Sequence, residues 1–138
     1  MTVFSGHLVV VRGGGDIGSG VICRLRRVGF PVVTLELARP LTVRRTVAFS
    51  SAVLSGHVEI DGIEGVLVRS PEEAVATADR GVVPVLVSEA LPEFPVPVSV
   101  LVDARLAKEA LDTRIDQAPF VVGLGPGFVA GKDCHAVI

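Results

Sequence analysis

Six residues near the amino terminus, Gly13-Gly14-Gly15-Asp16-Ile17-Gly18, follow the spacing G-x-G-x-x-G. Between a strand and a helix this spacing suits a diphosphate: the first glycine permits a tight turn, the second leaves room for phosphate against bare backbone, and the third lets the helix lie close to the strand. The helix start then offers unpaired N–H groups and the positive end of its dipole to the anion. Glu36 lies 18 residues past Gly18, where a carboxylate accepts hydrogen bonds from an adenine-side ribose and repels a 2′-phosphate. Arg39, Arg44 and Arg45 follow and could hold such a phosphate, so the choice between NAD and NADP stays open. Asp16 either caps the helix or sits beside the phosphates, and capping is the commoner use. The bland alternative is that the glycines only pack a helix on a sheet. On the nucleotide reading, Gly13→Ala or Gly15→Val is expected to abolish binding and leave the fold largely intact.

A second glycine turn, Gly123-Leu124-Gly125-Pro126-Gly127, follows the apolar run ending at Leu124. Ligand sites in α/β sheets lie beyond the carboxyl ends of strands, so Gly125 and Gly127 are candidates for the same rim. Lys132 could hold a phosphate, and Asp133 with His135 could form an acid–base pair. A zinc site usually needs three or four protein ligands, so no metal is assigned. Asp103, Arg105 and Lys108 follow another apolar run and either recognise a polar ligand or serve as a helix cap with exposed charges; Thr113 and Arg114 could add phosphate contacts. No G-x-S-x-G elbow, Walker A lysine–serine pair or H-E-x-x-H is present, which lowers the hydrolase and P-loop readings.

The elements that must position these residues are legible from their patterning. Apolar runs at Leu8–Val11, Pro31–Leu37, Val82–Val87, Val96–Val102 and Phe120–Leu124 lack polar alternation, as in strands covered on both faces. Their valines suit a pleated, buried surface. Asp16–Val28 reads as a helix with Ile17, Val21, Leu25 and Val28 on one stripe, ended by Gly29 and Pro31. Ser70-Pro71-Glu72-Glu73 reads as a cap, a first-turn proline and an acidic first turn, with Gly81 as the stop. Asp103 is expected to cap a third helix running to about Leu111. His57–Ile60 and Glu64–Val68 flank Asp61-Gly62, a strong hairpin signal. Arg44–Leu54 has no clear pattern beyond a helical option, and Glu89–Pro97, with three prolines, is an extended connector.

Composition sets the class. The chain has 138 residues, 49% of them apolar, enough for one domain with a sizeable core and too many for disorder. A charge of −2, six phenylalanines and no Trp or Tyr give neither the basic face nor the stacking platforms of a nucleic-acid binder. No apolar run approaches a membrane span of about 20 residues. The opening Met1-Thr-Val-Phe-Ser-Gly-His has no basic n-region. With Cys23 and Cys134 outside any metal or redox spacing, the expectation is a cytoplasmic protein with reduced thiols. The apolar Ala-Val-Ile end falls where a further element would begin, as in the amino-terminal part of a longer protein.

Four blocks carry a resemblance: Val-Val-Val-Arg-Gly-Gly-Gly-Asp-Ile-Gly-Ser-Gly (9–20) with Leu35-Glu36; Pro-Leu-Thr-Val-Arg-Arg-Thr-Val-Ala-Phe (40–49); Val-Asp-Ala-Arg-Leu-Ala-Lys (102–108); and Val-Gly-Leu-Gly-Pro-Gly-Phe-Val-Ala-Gly-Lys-Asp-Cys-His-Ala-Val-Ile (122–138). Together they resemble the selenium-dependent molybdenum hydroxylase accessory proteins. They are similar, more distantly, to the Rossmann part of xanthine dehydrogenase accessory proteins. The resemblance implies a cytoplasmic factor in molybdenum cofactor maturation, with a molybdenum hydroxylase apoprotein as its partner. That family runs well beyond residue 138 into a small β-rich segment.

The expectation is one Rossmann-like α/β domain over 1–138, three-layered, with a mostly parallel sheet and an irregular and hairpin insertion at 41–70. Its nucleotide cofactor is NAD or another nucleotide, or molybdopterin with its phosphate or nucleotide tail. Gly13, Gly14, Gly15, Asp16, Ile17 and Gly18 form the cradle and Glu36 the ribose contact. Arg44, Arg45, Asp103, Arg105, Lys108, Gly125, Gly127 and His135 are the rim candidates. Two rivals stand beside it: an NAD-dependent oxidoreductase using His135 or Lys108 as proton donor, and a non-catalytic nucleotide sensor. Neither nucleic acid nor membrane is an expected partner, and a homodimer is open.

Overall fold

Valine-rich runs without polar alternation must be covered on both faces, and they are. The computed structural model describes residues 2–108 and 111–138. Strands β1 (Leu8–Arg12), β2 (Val32–Glu36), β3 (His57–Ile60), β4 (Ile63–Val68), β5 (Val83–Val87), β6 (Val98–Asp103), β7 (Phe120–Gly123) and β8 (Ala136–Val137) form one sheet. Their order is β3-β4-β5-β2-β1-β6-β7-β8. Every neighbouring pair is parallel except the β3–β4 hairpin. Asp61 (φ 50°) and Gly62 (φ 79°) make its two-residue turn, the left-handed pair such a hairpin demands.

Helix α1 (Asp16–Val28) covers one face and α3 (Pro71–Asp79) the other. Val9, Val11 and Val32 pack with Ile22, Cys23 and Phe49 in one core. Leu8, Val10, Val33 and Leu35 pack with Ala74, Val75 and Ala78 in the other. The architecture is a three-layer, Rossmann-like α/β fold with an inserted hairpin. Among the described residues no helix is long and apolar enough to cross a membrane.

The inserted segment resolves into single 3₁₀ turns at Arg45–Val47 and Phe49–Ser51 and the short α2 (Ala52–Ser55). Phe49 anchors it, fully buried. Gly65 on β4 makes the room, because a Cβ there would lie 2.7 Å from the Phe49 ring. Burying such a ring contributes about 2–3 kcal/mol. Ser70 caps α3 by accepting the Glu73 amide at 3.1 Å, with Pro71 in the first turn.

Two expectations are corrected. No third helix follows Asp103. That residue ends β6, and 104–108 and Leu111 carry no helix, while Glu109 and Ala110 lie outside the described residues. Leu106 has φ 58°, a left-handed conformation that a helix cannot contain. The face of α1 is also rotated from the expected stripe. Gly18, Ser19, Ile22, Cys23 and Arg26 are buried. Ile17 and Val28 stay 51% and 50% exposed, with Val21 and Leu25 half-buried.

Candidate functional site

Chain order fixes where a ligand can sit. From β1 the chain moves through β2 to β5 on one side, then crosses to β6 on the other side of β1. The carboxyl ends of β1 and β6 therefore flank a topological switch point, the usual crevice of an open parallel sheet. A cleft of about 590 Å³ lies there. It is lined by the glycine loop after β1, Glu36 and Leu37 after β2, Ala104 to Leu106 after β6, and Leu41 to Arg44 of the insertion.

The three spaced glycines do three different things. Gly13 turns the chain at φ 99° while its amide donates to the Leu35 carbonyl at 2.9 Å. A Cβ on Gly18 would lie 2.0 Å from the Gly13 carbonyl oxygen, so only glycine brings the helix this close. Gly15, the N-cap of α1, meets only Thr42 Oγ1 at 4.0 Å from its Cβ position and faces the cleft. Among the described residues the amides of Gly15, Asp16 and Gly18 have no protein acceptor. The tip is thus open to an anion. The positive φ at Gly13, with Ala104 backbone atoms 3.1 Å from its Cβ position, corrects one expectation: Gly13→Ala would strain the fold itself.

Glu36 is already engaged. Its Oε2 accepts the Gly14 amide and its Oε1 the Leu37 amide, both at 2.9 Å. Each oxygen keeps a second lone pair, so a ribose hydroxyl can still donate to it. Asp16 is not the N-cap. It is exposed at the first helical position, and its Oδ1 accepts the Ile17 amide at 3.0 Å. That carboxylate occupies one donor of the helix start and adds a negative charge beside the others.

Asp103 and Arg105 belong to a polar network under the cleft. Arg12 and Asp103, paired in register across β1 and β6, are 2% and 0% exposed. The Arg105 guanidinium donates to both Asp103 oxygens, at 2.9 and 2.5 Å, and to Asp112 Oδ1 at 3.0 Å. Arg12 donates to Asp112 Oδ2 at 2.9 Å and to Thr113 Oγ1 at 3.1 Å, and Thr113 donates to Asp103 at 2.7 Å. Burial alone would raise the Asp103 carboxyl, but bonds from Arg105 and Thr113 and the Arg105 charge hold it below its ordinary value. Desolvation likewise opposes ionisation of Asp112, and Arg12 and Arg105 outweigh it, bringing its pKa to about 2. Burial would lower Arg105, yet its two carboxylate partners raise it. Asp103 is therefore a buried brace, and of this set only Arg105 lines the cleft.

The other rim candidates divide. Arg44 lines the cleft, whereas Arg45 lies in a neighbouring depression along Val43 to Val47. Lys108 is exposed and outside the lining. The Gly125 amide donates to the Ile138 carbonyl and the Gly127 amide to the Ala107 carbonyl, so that loop is spent on the protein. His135 sits by the start of β7, its Nδ1 accepting the Val121 amide at 2.9 Å and its ring stacked on Phe120. The structure does not bring Gly125, Gly127 or His135 to the cleft. Among the described residues no three His, Cys, Asp or Glu side chains gather as a metal cluster.

Sequence reasoning missed Thr42 and Ser50. Their hydroxyls are 2.6 Å apart, and the Ser50 amide donates to the Gly14 carbonyl at 2.9 Å. Neither stands in a periodic or spaced pattern, and Thr42 entered only as part of the 40–49 block.

No family model matches this chain. It is 51% identical, over 138 aligned residues and 97% of its own length, to "Uncharacterized protein YqeB" of Escherichia coli strain K12. It spans about a quarter of that relative's length. No solved structure matches.

Proposed function

We propose that the cleft binds a nucleotide, or the nucleotide-bearing tail of a pterin cofactor, through a diphosphate on the glycine loop. The observation that carries this reading is the open Cβ position of Gly15 beside three amides that have no acceptor among the described residues. The amides of Gly15, Asp16 and Gly18 hold the phosphates, the Thr42 hydroxyl stands within reach of them, and Glu36 takes the ribose. Arg44 adds a positive charge on the open side. The cleft's volume lies within the usual range for small-molecule sites.

Placed beside the resemblance, this makes the chain an accessory factor that carries a cofactor for a molybdenum hydroxylase. Bound molybdopterin would supply the dithiolene that holds molybdenum, and this chain's residues bind and orient its phosphate end. The oxidoreductase reading loses support because among the described residues no His, Lys, Cys or Tyr lines the cleft, and the two candidate donors, His135 and Lys108, lie outside it. The test is a thermal-shift panel of NAD, NADP, AMP, CTP and molybdopterin. A true ligand at 100 times its Kd should stabilise the chain by about 2.7 kcal/mol. A flat panel overturns the reading.

A further inference from the structure

Helix α1 carries a groove beside the cleft that shares Asp16 and Ile17 with it. It is lined by Asp16, Ile17, Gly20, Val21, Arg24 and Leu25. Ile17 is half exposed although it belongs to the apolar stripe, and Val28 extends that stripe by one further turn. Gly20 stands in the middle of the helix. A Cβ there would meet nothing within 4 Å, so no contact among the described residues calls for glycine. An exposed mid-helix glycine costs about 1 kcal/mol relative to alanine. A close approach from outside is the kind of contact that repays such a residue.

We propose that α1 is a self-association surface on which a second copy of this chain docks, its α1 crossing antiparallel at Gly20. The charges select that occupant. Asp16 lies four residues before Gly20 and Arg24 four residues after it, on one ridge of the helix. Two-fold rotation about Gly20 sets each Asp16 against the other copy's Arg24, giving two symmetric pairs of opposite charge. On that axis ridge meets ridge, and the neighbouring ridge, Ile17, Val21 and Leu25, meets the same ridge of the facing helix. A two-fold contact must be self-complementary, and this helix face is, in charge and in shape. Docking in the parallel sense would oppose Asp16 to Asp16.

Sedimentation velocity on the 138-residue chain, from about 1 to 200 µM, should show a concentration-dependent shift from monomer to dimer. Arg24→Glu should raise the dimer dissociation constant about tenfold, since both pairs become repulsive. The double variant Asp16→Arg, Arg24→Glu should restore wild-type association. Gly20→Leu, at a position with free space around it, should weaken association while thermal unfolding stays cooperative. A wild-type chain that stays monomeric throughout overturns the proposal, and so does a charge swap that fails to rescue. Neither result depends on whether the cleft binds a nucleotide.

Discussion

The two glycine loops leave the same edge of the sheet and have nearly the same composition, yet one faces space and the other faces protein. At Gly15 a Cβ would find only Thr42 Oγ1 at 4.0 Å. At Gly123 it would find the Phe128 ring at 2.3 Å, and at Gly125 the Leu106 backbone at 3.2 Å. In the first loop the amides of Gly15, Asp16 and Gly18 have no acceptor among the described residues, while those of Gly125 and Gly127 serve the Ile138 and Ala107 carbonyls. Glycine marks a close approach of backbone to something. Whether that something is a ligand or another part of the chain depends on tertiary neighbours, which spacing alone does not encode.

The largest effect that would break this comparison belongs to Gly123→Ala. Its methyl collides with a buried ring, so stability should fall by about 2–3 kcal/mol in thermal or urea unfolding, with nucleotide affinity unchanged. Loss of affinity at full stability would reverse the roles assigned to the two loops. Gly15→Val should do the opposite. Its φ of −69° suits any residue, so the stability cost is that of a poorer N-cap, about 1 kcal/mol. Calorimetric affinity for the nucleotide should drop at least about tenfold, a loss of about 1.4 kcal/mol.

The smallest effect lies between the loops, in the 104–106 segment that Gly13 and Gly125 both approach. Asp103 and Asp112 tether Arg105 within it, and both carboxyls are held below their ordinary value. The unfolded chain therefore binds more protons as acid is added. Their stabilisation is complete above about pH 4 and fades as the pH falls towards the Asp112 value of about 2. For half-exposed Asp112 the contribution is about 1 kcal/mol after solvent screening. Asp112→Asn should flatten that decline in acid unfolding curves. An unchanged curve would show that the segment is held by its backbone alone.

The fold was largely legible because its signals are local. Gly13 to Gly18, Ser70-Pro71 and Asp61-Gly62 act through backbone conformation and capping, and α1, α3 and the hairpin stand where those residues put them. The face of α1 was not legible, because two polar residues are buried there for distant reasons. Ser19 serves the Gly14 carbonyl and the Phe49 amide, and Arg26 serves the Gly81 and Phe30 carbonyls. Hydrophobic periodicity counts such residues as outward-facing. The stretch after Asp103 misled for a similar reason: its helix-friendly Ala104-Arg105-Leu106-Ala107-Lys108 is overridden by the Arg105 anchorage and by Leu106 in a left-handed conformation. At the cleft, the placing of the glycine loop and of Glu36 followed from spacing. Thr42, Ser50 and the fate of the second loop required long-range contacts.

The Gly14 carbonyl receives both the Ser50 amide and the Ser19 hydroxyl, while the Gly14 amide is held by Glu36. This middle glycine is stitched on both sides to parts of the chain far from it in sequence. On the proposed reading a nucleotide meets a loop already tied down, need not order it, and keeps more of its contact energy as affinity. The same stitching makes the inserted segment inseparable from the cradle: a trimmed version lacking it would lose the splint along with the wall.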